Sequence, residues 1–135
     1  MRLLLDTHIW LWLQHAPERL GPALPAVEDP DNELLLSAAS SWEIAIKYAL
    51  GKLALPEPPM TYVPDRIASS GIIPLPVQHS HALAVSALPS HHRDPFDRML
   101  VVQSLAERAT IVTADPALRA YKIDLLWAGW KTASP

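Results

Sequence analysis

Short apolar runs alternate along this chain with stretches of helical pattern, and that alternation leaves few folds open. Arg2–Leu5, Glu33–Ser37, Ile72–Leu75, Thr110–Thr113 and Lys122–Leu126 each read as a strand. Between them lie predicted helices: Ile9–Gln14, a short one inside Pro17–Pro30, one running to Leu50 from a cap at Ser40 or Ser41, Met60–Ser70, and Gln78–Leu88. A further helix runs from a cap at Asp94 to about Arg108, and a short one starts at Asp115-Pro116. Strands that alternate with helices pair in parallel through right-handed crossovers. The expectation is a three-layer α/β/α domain spanning residues 1–135, with a central parallel sheet of about four or five strands. Pro74 puts the third strand at an edge, because proline cannot donate to a ladder. Gly51 suits the residue just past a helix end.

Composition removes several classes of function. With no cysteine there are no disulfides, thiolate zinc sites or cysteine nucleophiles, which fits a reducing compartment. Half the residues are hydrophobic and 19% are charged, so a sizeable core is expected, with some apolar surface left for a partner. The net charge is −3, so any contact with nucleic acid must use a local basic patch or a metal rather than the overall field. Asp6 and His8 interrupt the N-terminal apolar run, so it does not read as a signal peptide. No apolar run is long enough to span a membrane. A cytoplasmic location is expected.

Four acids stand at or near junctions where a helix begins: Asp6 after Leu3-Leu4-Leu5, Glu43 in Ser40-Ser41-Trp42-Glu43, Asp97 in Asp94-Pro95-Phe96-Asp97, and Asp115 after Ile111-Val112-Thr113-Ala114. Each has an ordinary explanation as a cap or as a complement to a helix dipole. Together they mean more. Ligands of open parallel sheets bind outside the carboxyl ends of the strands, where the crossover helices also begin. Carboxylates gathered there need a cation, and hard oxygen donors suit Mg²⁺ or Mn²⁺.

These segments resemble those of PIN-domain ribonucleases, and among them the VapC toxins of bacterial toxin–antitoxin pairs. The likeness lies in Leu4-Leu5-Asp6-Thr7-His8-Ile9-Trp10-Leu11, Ser37-Ala38-Ala39-Ser40-Ser41-Trp42-Glu43-Ile44-Ala45-Ile46-Lys47, His91-His92-Arg93-Asp94-Pro95-Phe96-Asp97-Arg98-Met99-Leu100 and Ile111-Val112-Thr113-Ala114-Asp115. The resemblance implies that Asp6, Glu43, Asp97 and Asp115 are the catalytic, metal-binding acids. It implies metal-dependent hydrolysis of RNA to a 5′-phosphate and a 3′-hydroxyl. It also implies a small VapB-like antitoxin, its C-terminal segment lying in an apolar groove near Trp10, Trp12, Trp42 and Ile46. A homodimer is expected as well. Asp94 and Asp97 lie one helical turn apart, so they share a face and can exchange the roles of cap and ligand.

Around the acids, Thr7, Thr113 and Ser41 carry hydroxyls suited to orienting a carboxylate or capping a helix. His92, Arg93, Arg98 and Lys47 are candidate contacts for an RNA backbone, although Lys47 is also spaced to pair with Glu43. His79 and His81 with His91 and His92 suggest zinc only weakly, since no His-Glu-x-x-His or cysteine pattern accompanies them. The competing readings are an aspartyl-phosphate phosphatase and a metal-binding α/β module that is not a nuclease. His8, two residues after Asp6, stands where a haloacid-dehalogenase-like phosphatase carries a second Asp.

Overall fold

The computed structural model describes residues 1–91 and 93–129. In chain order its strands are β1 (Arg2–Leu5), β2 (Glu33–Ser37), β3 (Ile73–Leu75), β4 (Thr110–Thr113) and β5 (Leu125–Trp127). Its α-helices are α1 (Thr7–His15), α2 (Leu24–Glu28), α3 (Ala38–Ala49), α4 (Pro59–Ser70), α5 (His79–Ala84) and α6 (Pro95–Glu107). Tighter 3₁₀ turns cover Pro17–Ala23, Val85–Ala87 and Pro116–Ala120.

All strands pair in parallel, in the order β3-β2-β1-β4-β5. The order reverses at β1, whose two neighbours are β2 and β4. In open parallel sheets a ligand crevice lies at such a switch point, outside the carboxyl ends of the strands. Alternation along β1 divides the core. Leu3 and Leu5 pack with Ile9, Trp10, Ile44, Tyr62 and Val63 on one face. Leu4 packs with Leu100, Val101, Ile111 and Leu118 on the other. The sheet is therefore covered on both sides, as the expected α/β/α architecture requires. β3 is an edge strand, with Pro74 in register with Leu36.

Several boundaries differ from expectation. α1 begins at Thr7, directly after β1, because the ladder runs one residue past the strand: the Asp6 N–H still donates to the Val112 carbonyl, at 3.0 Å. The cap of α3 is Ser37, not Ser40 or Ser41. Its hydroxyl accepts from the Ala39 N–H at 3.0 Å, so the helix starts as soon as β2 ends. Gly51 follows that helix at φ 74°, a left-handed conformation that costs glycine little. The predicted Gln78–Leu88 helix is α5 followed by a 3₁₀ turn.

Candidate active site

Asp6, Glu43, Asp94, Asp97 and Asp115 line one crevice of about 300 Å³, together with His8, Trp12, Lys47 and Ala114. It lies at the carboxyl ends of β1 and β4, at the point where the strand order reverses. Each acid arrives by its own element. Asp6 follows β1, Asp115 follows β4, Glu43 lies on α3, and Asp94 and Asp97 stand at the start of α6. Asp6, Glu43 and Asp97 are buried, with relative exposures of 6%, 5% and 7%.

Asp6 and Asp115 are joined through one hydroxyl. Thr113 Oγ1 donates to Asp6 Oδ2 at 2.7 Å and accepts from the Asp115 N–H at 3.0 Å. The threonine has one proton, and this geometry aims it at Asp6. Asp6 occupies the cap position of α1 but makes no regular side-chain capping hydrogen bond; the adjacent Thr7 backbone N–H is its helix contact. Burial pushes the Asp6 carboxyl above its ordinary pKa; the Thr113 hydrogen bond, His8 and the Thr7 backbone N–H oppose that rise, and Glu43 adds to it.

The remaining acids have local partners. Asp94 accepts from the Phe96 and Asp97 amides at 2.8 and 3.4 Å, so it caps α6 as expected, with Pro95 at the first helical position. Asp97, on the same face one turn later, is the more buried of the pair. Asp115 Oδ1 accepts from the Ala117 N–H at 2.9 Å. Glu43 Oε2 receives the Lys47 ammonium at 2.7 Å. That hydrogen bond pushes the Lys47 pKa up; burial opposes it, and the nearby Glu43, Asp94 and Asp97 charges reinforce it.

With Glu43 and Asp115 turned to these partners, no three His, Asp or Glu side chains among the described residues stand in metal-holding geometry as they lie. The donor set nonetheless fits a hard divalent cation. It is all oxygen, and Asp6 is buried with a raised pKa that a cation would reverse. The Thr7 hydroxyl beside it is buried and has no hydrogen-bond partner.

Other expectations need correction. Ser41 lines an apolar groove between α3 and α4 with Met60, Val63 and Ile67, so it does not orient Glu43. The Thr7 hydroxyl bonds no carboxylate; only its backbone N–H reaches Asp6. Arg98 does not line the acidic crevice. Its guanidinium donates to the Pro89 and Val85 carbonyls and the Tyr121 hydroxyl, tying α6 to the preceding loop. Arg93 lies at an adjoining apolar cavity of about 500 Å³, beside Trp42 and Phe96. His92 and Trp130 lie outside the described residues. Trp10 is fully buried and offers nothing to a partner. His81 is buried, its Nδ1 accepting from the Gln78 N–H at 3.1 Å, so it serves a helix cap.

Two crevice residues escaped the sequence reading in this role, His8 and Trp12. They are four apart on α1 and so share a face. Their distance of two and six residues from Asp6 was the available signal. The Arg19 guanidinium lies 4.3 Å from the Trp12 ring centroid.

Sequence comparison assigns this parallel α/β/α sheet, with acids gathered at its switch point, to a known family. The chain belongs to the PIN domain family, whose model matches residues 3–124. Two similar relatives are from Mycobacterium tuberculosis. Ribonuclease VapC16 is 60% identical over 66 residues, which cover 49% of this chain and 47% of that protein. Ribonuclease VapC22 is 28% identical over 124 residues, covering 89% and 92%. The matched segment thus spans about half the length of the first relative. Among solved structures, VapBC2 from Rickettsia felis bound to a promoter DNA fragment has a TM-score of 0.70 at 15% identity, covering 95% of this chain and 99% of that one. VapBC from Salmonella typhimurium bound to DNA has a TM-score of 0.68 at 16% identity, covering 94% and 98%.

Proposed function

We propose that this protein is a metal-dependent endoribonuclease, acting as a VapC-like toxin restrained by a small antitoxin. The observation that carries the reading is the union of Asp6, Asp97 and Asp115 with Glu43 in one crevice, Asp6 being locked by Thr113. Relatives named ribonuclease VapC supply the reaction class. Asp6, Asp97 and Asp115 would hold Mg²⁺ or Mn²⁺, with Glu43 completing the acidic site. When bound, such an ion activates water and offsets charge on a phosphodiester.

The chain's own groups do the rest. Thr113 fixes the Asp6 carboxylate, Asp94 sets the start of α6 and so the position of Asp97, and Lys47 presents a fixed ammonium charge in the crevice. The products expected are a 5′-phosphate and a 3′-hydroxyl. No ribose 2′-hydroxyl is required.

The partner reading rests on two things. Two of the fold neighbours are VapBC structures bound to DNA. The surface is apolar around α3 and α4, with Trp42 64% and Met60 91% exposed. An antitoxin segment would lie there, and an arginine reaching from it would suit the clustered carboxylates. A homodimer is proposed on the same apolar excess.

The deciding experiment incubates purified protein with RNA and Mg²⁺ and maps the ends produced. Cleavage that stops with a chelator and is absent in Asp6→Asn is the expected result. Cleavage at full rate in a chelator would end the metal mechanism.

A further inference from the structure

We propose that Lys47 is the crevice's tethered counter-cation: its ammonium holds the place beside Glu43 that a second divalent ion would take, so the crevice loads a single ion, on the Asp6 side. The inference rests on the reading of the crevice as a divalent-ion site.

Glutamate and lysine four apart on a helix usually pair on a solvated face and contribute little. This pair is placed differently. Glu43 is buried, and the two side chains both line the acidic crevice. Helical side chains lean toward the N-terminus, so the Lys47 stem runs back over the turn that carries Glu43. That brings Nζ to 2.7 Å from Oε2 and within electrostatic reach of Asp94 and Asp97.

Among the described residues, five carboxylates line the crevice, and Lys47 is the only lysine or arginine there. A buried carboxylate must be paired, and Glu43 has its partner built into the same helix. Glu43 is therefore withdrawn from the donor set, while Asp6 is met by neutral donors, the Thr113 hydroxyl and the Thr7 backbone N–H. A divalent ion settling beside Glu43 would have to displace the ammonium; one settling beside Asp6 would not. The tethered charge also remains when no ion is bound, giving an incoming phosphate a fixed cation.

Mn²⁺ binding read by electron paramagnetic resonance, rather than activity, tests this. The proteins are the native chain, Lys47→Met, Lys47→Arg and the double variant Glu43→Gln/Lys47→Met, each checked for fold by circular dichroism. The native chain should bind one Mn²⁺. Lys47→Met should gain a second, or bind the first about tenfold tighter, since a neighbouring positive charge is gone. Lys47→Arg should behave as the native chain, and the double variant should return to one ion.

Two ions on the native chain, or identical binding by the native chain and Lys47→Met, overturn the proposal and leave the metal site standing. No Mn²⁺ on any of the four proteins overturns both. Should Lys47→Met fail to fold with its buried charge unpaired, the native stoichiometry and the double variant still decide.

Discussion

The Asp6 carboxyl has a pKa raised above its ordinary value. Burial is the main reason its carboxyl resists ionisation, so the unfolded chain gives up that proton more readily than the folded one. The folded state then bears a penalty that is absent below the ordinary carboxylate pKa and grows as pH rises through the folded value. Asp6→Asn removes it. The variant without metal should melt above the native chain at neutral pH, and the gap should close on acidification below about pH 4. Mg²⁺ should raise the melting temperature of the native chain and leave Asp6→Asn unmoved. Thr113→Val tests the group that holds Asp6 in place. It removes a donor from a buried carboxylate and an acceptor from the Asp115 amide, and should cost about 2 kcal/mol in denaturant unfolding. Thr113→Ser should recover most of that loss.

At the scale of elements, the start of α6 does two jobs with two acids. Asp94→Ala should lose about 1 kcal/mol of stability through the missing cap yet keep Mn²⁺ binding. Asp97→Asn should keep the fold and lose cleavage. Loss of Mn²⁺ binding in folded Asp94→Ala would mean that the two residues have exchanged roles. The strands and the order of the acids were legible in the sequence because both follow from apolar periodicity and strand-end position. The start of α3 was not. Ser37, Ser40 and Ser41 are all competent caps, and only the end of β2, where Ser37 pairs with Leu75, selects the first. Arg98 was misread for a related reason: its acceptors are backbone carbonyls and a tyrosine hydroxyl of distant segments, which leave no mark in local sequence. The Lys47–Glu43 pair was readable from its spacing, but that Glu43 would be buried was not.

At the scale of the whole molecule, function and restraint make one joint prediction. Expressing this chain alone should arrest growth of the host, and co-expressing an antitoxin encoded beside it should relieve the arrest. The readouts are growth curves and sequencing of RNA ends against an Asp6→Asn control. Soluble, folded protein that leaves growth and RNA untouched would remove the toxin reading while leaving the fold and family as described.

The central pairing of β1 with β4 has a consequence in time. Asp6 and Thr113 are 107 residues apart in sequence, and the hydrogen bond between them forms only when the first strand finds the fourth. Chains emerge from the ribosome N-terminus first. Asp6 therefore leaves the ribosome well before Asp115 has been made. Until β4 has docked, the crevice has neither its second strand end nor the hydroxyl that orients its first carboxylate. For a chain read as a destroyer of RNA, this strand order is a delay: until the fourth strand emerges and docks, a nascent copy lacks the complete crevice with which to cut.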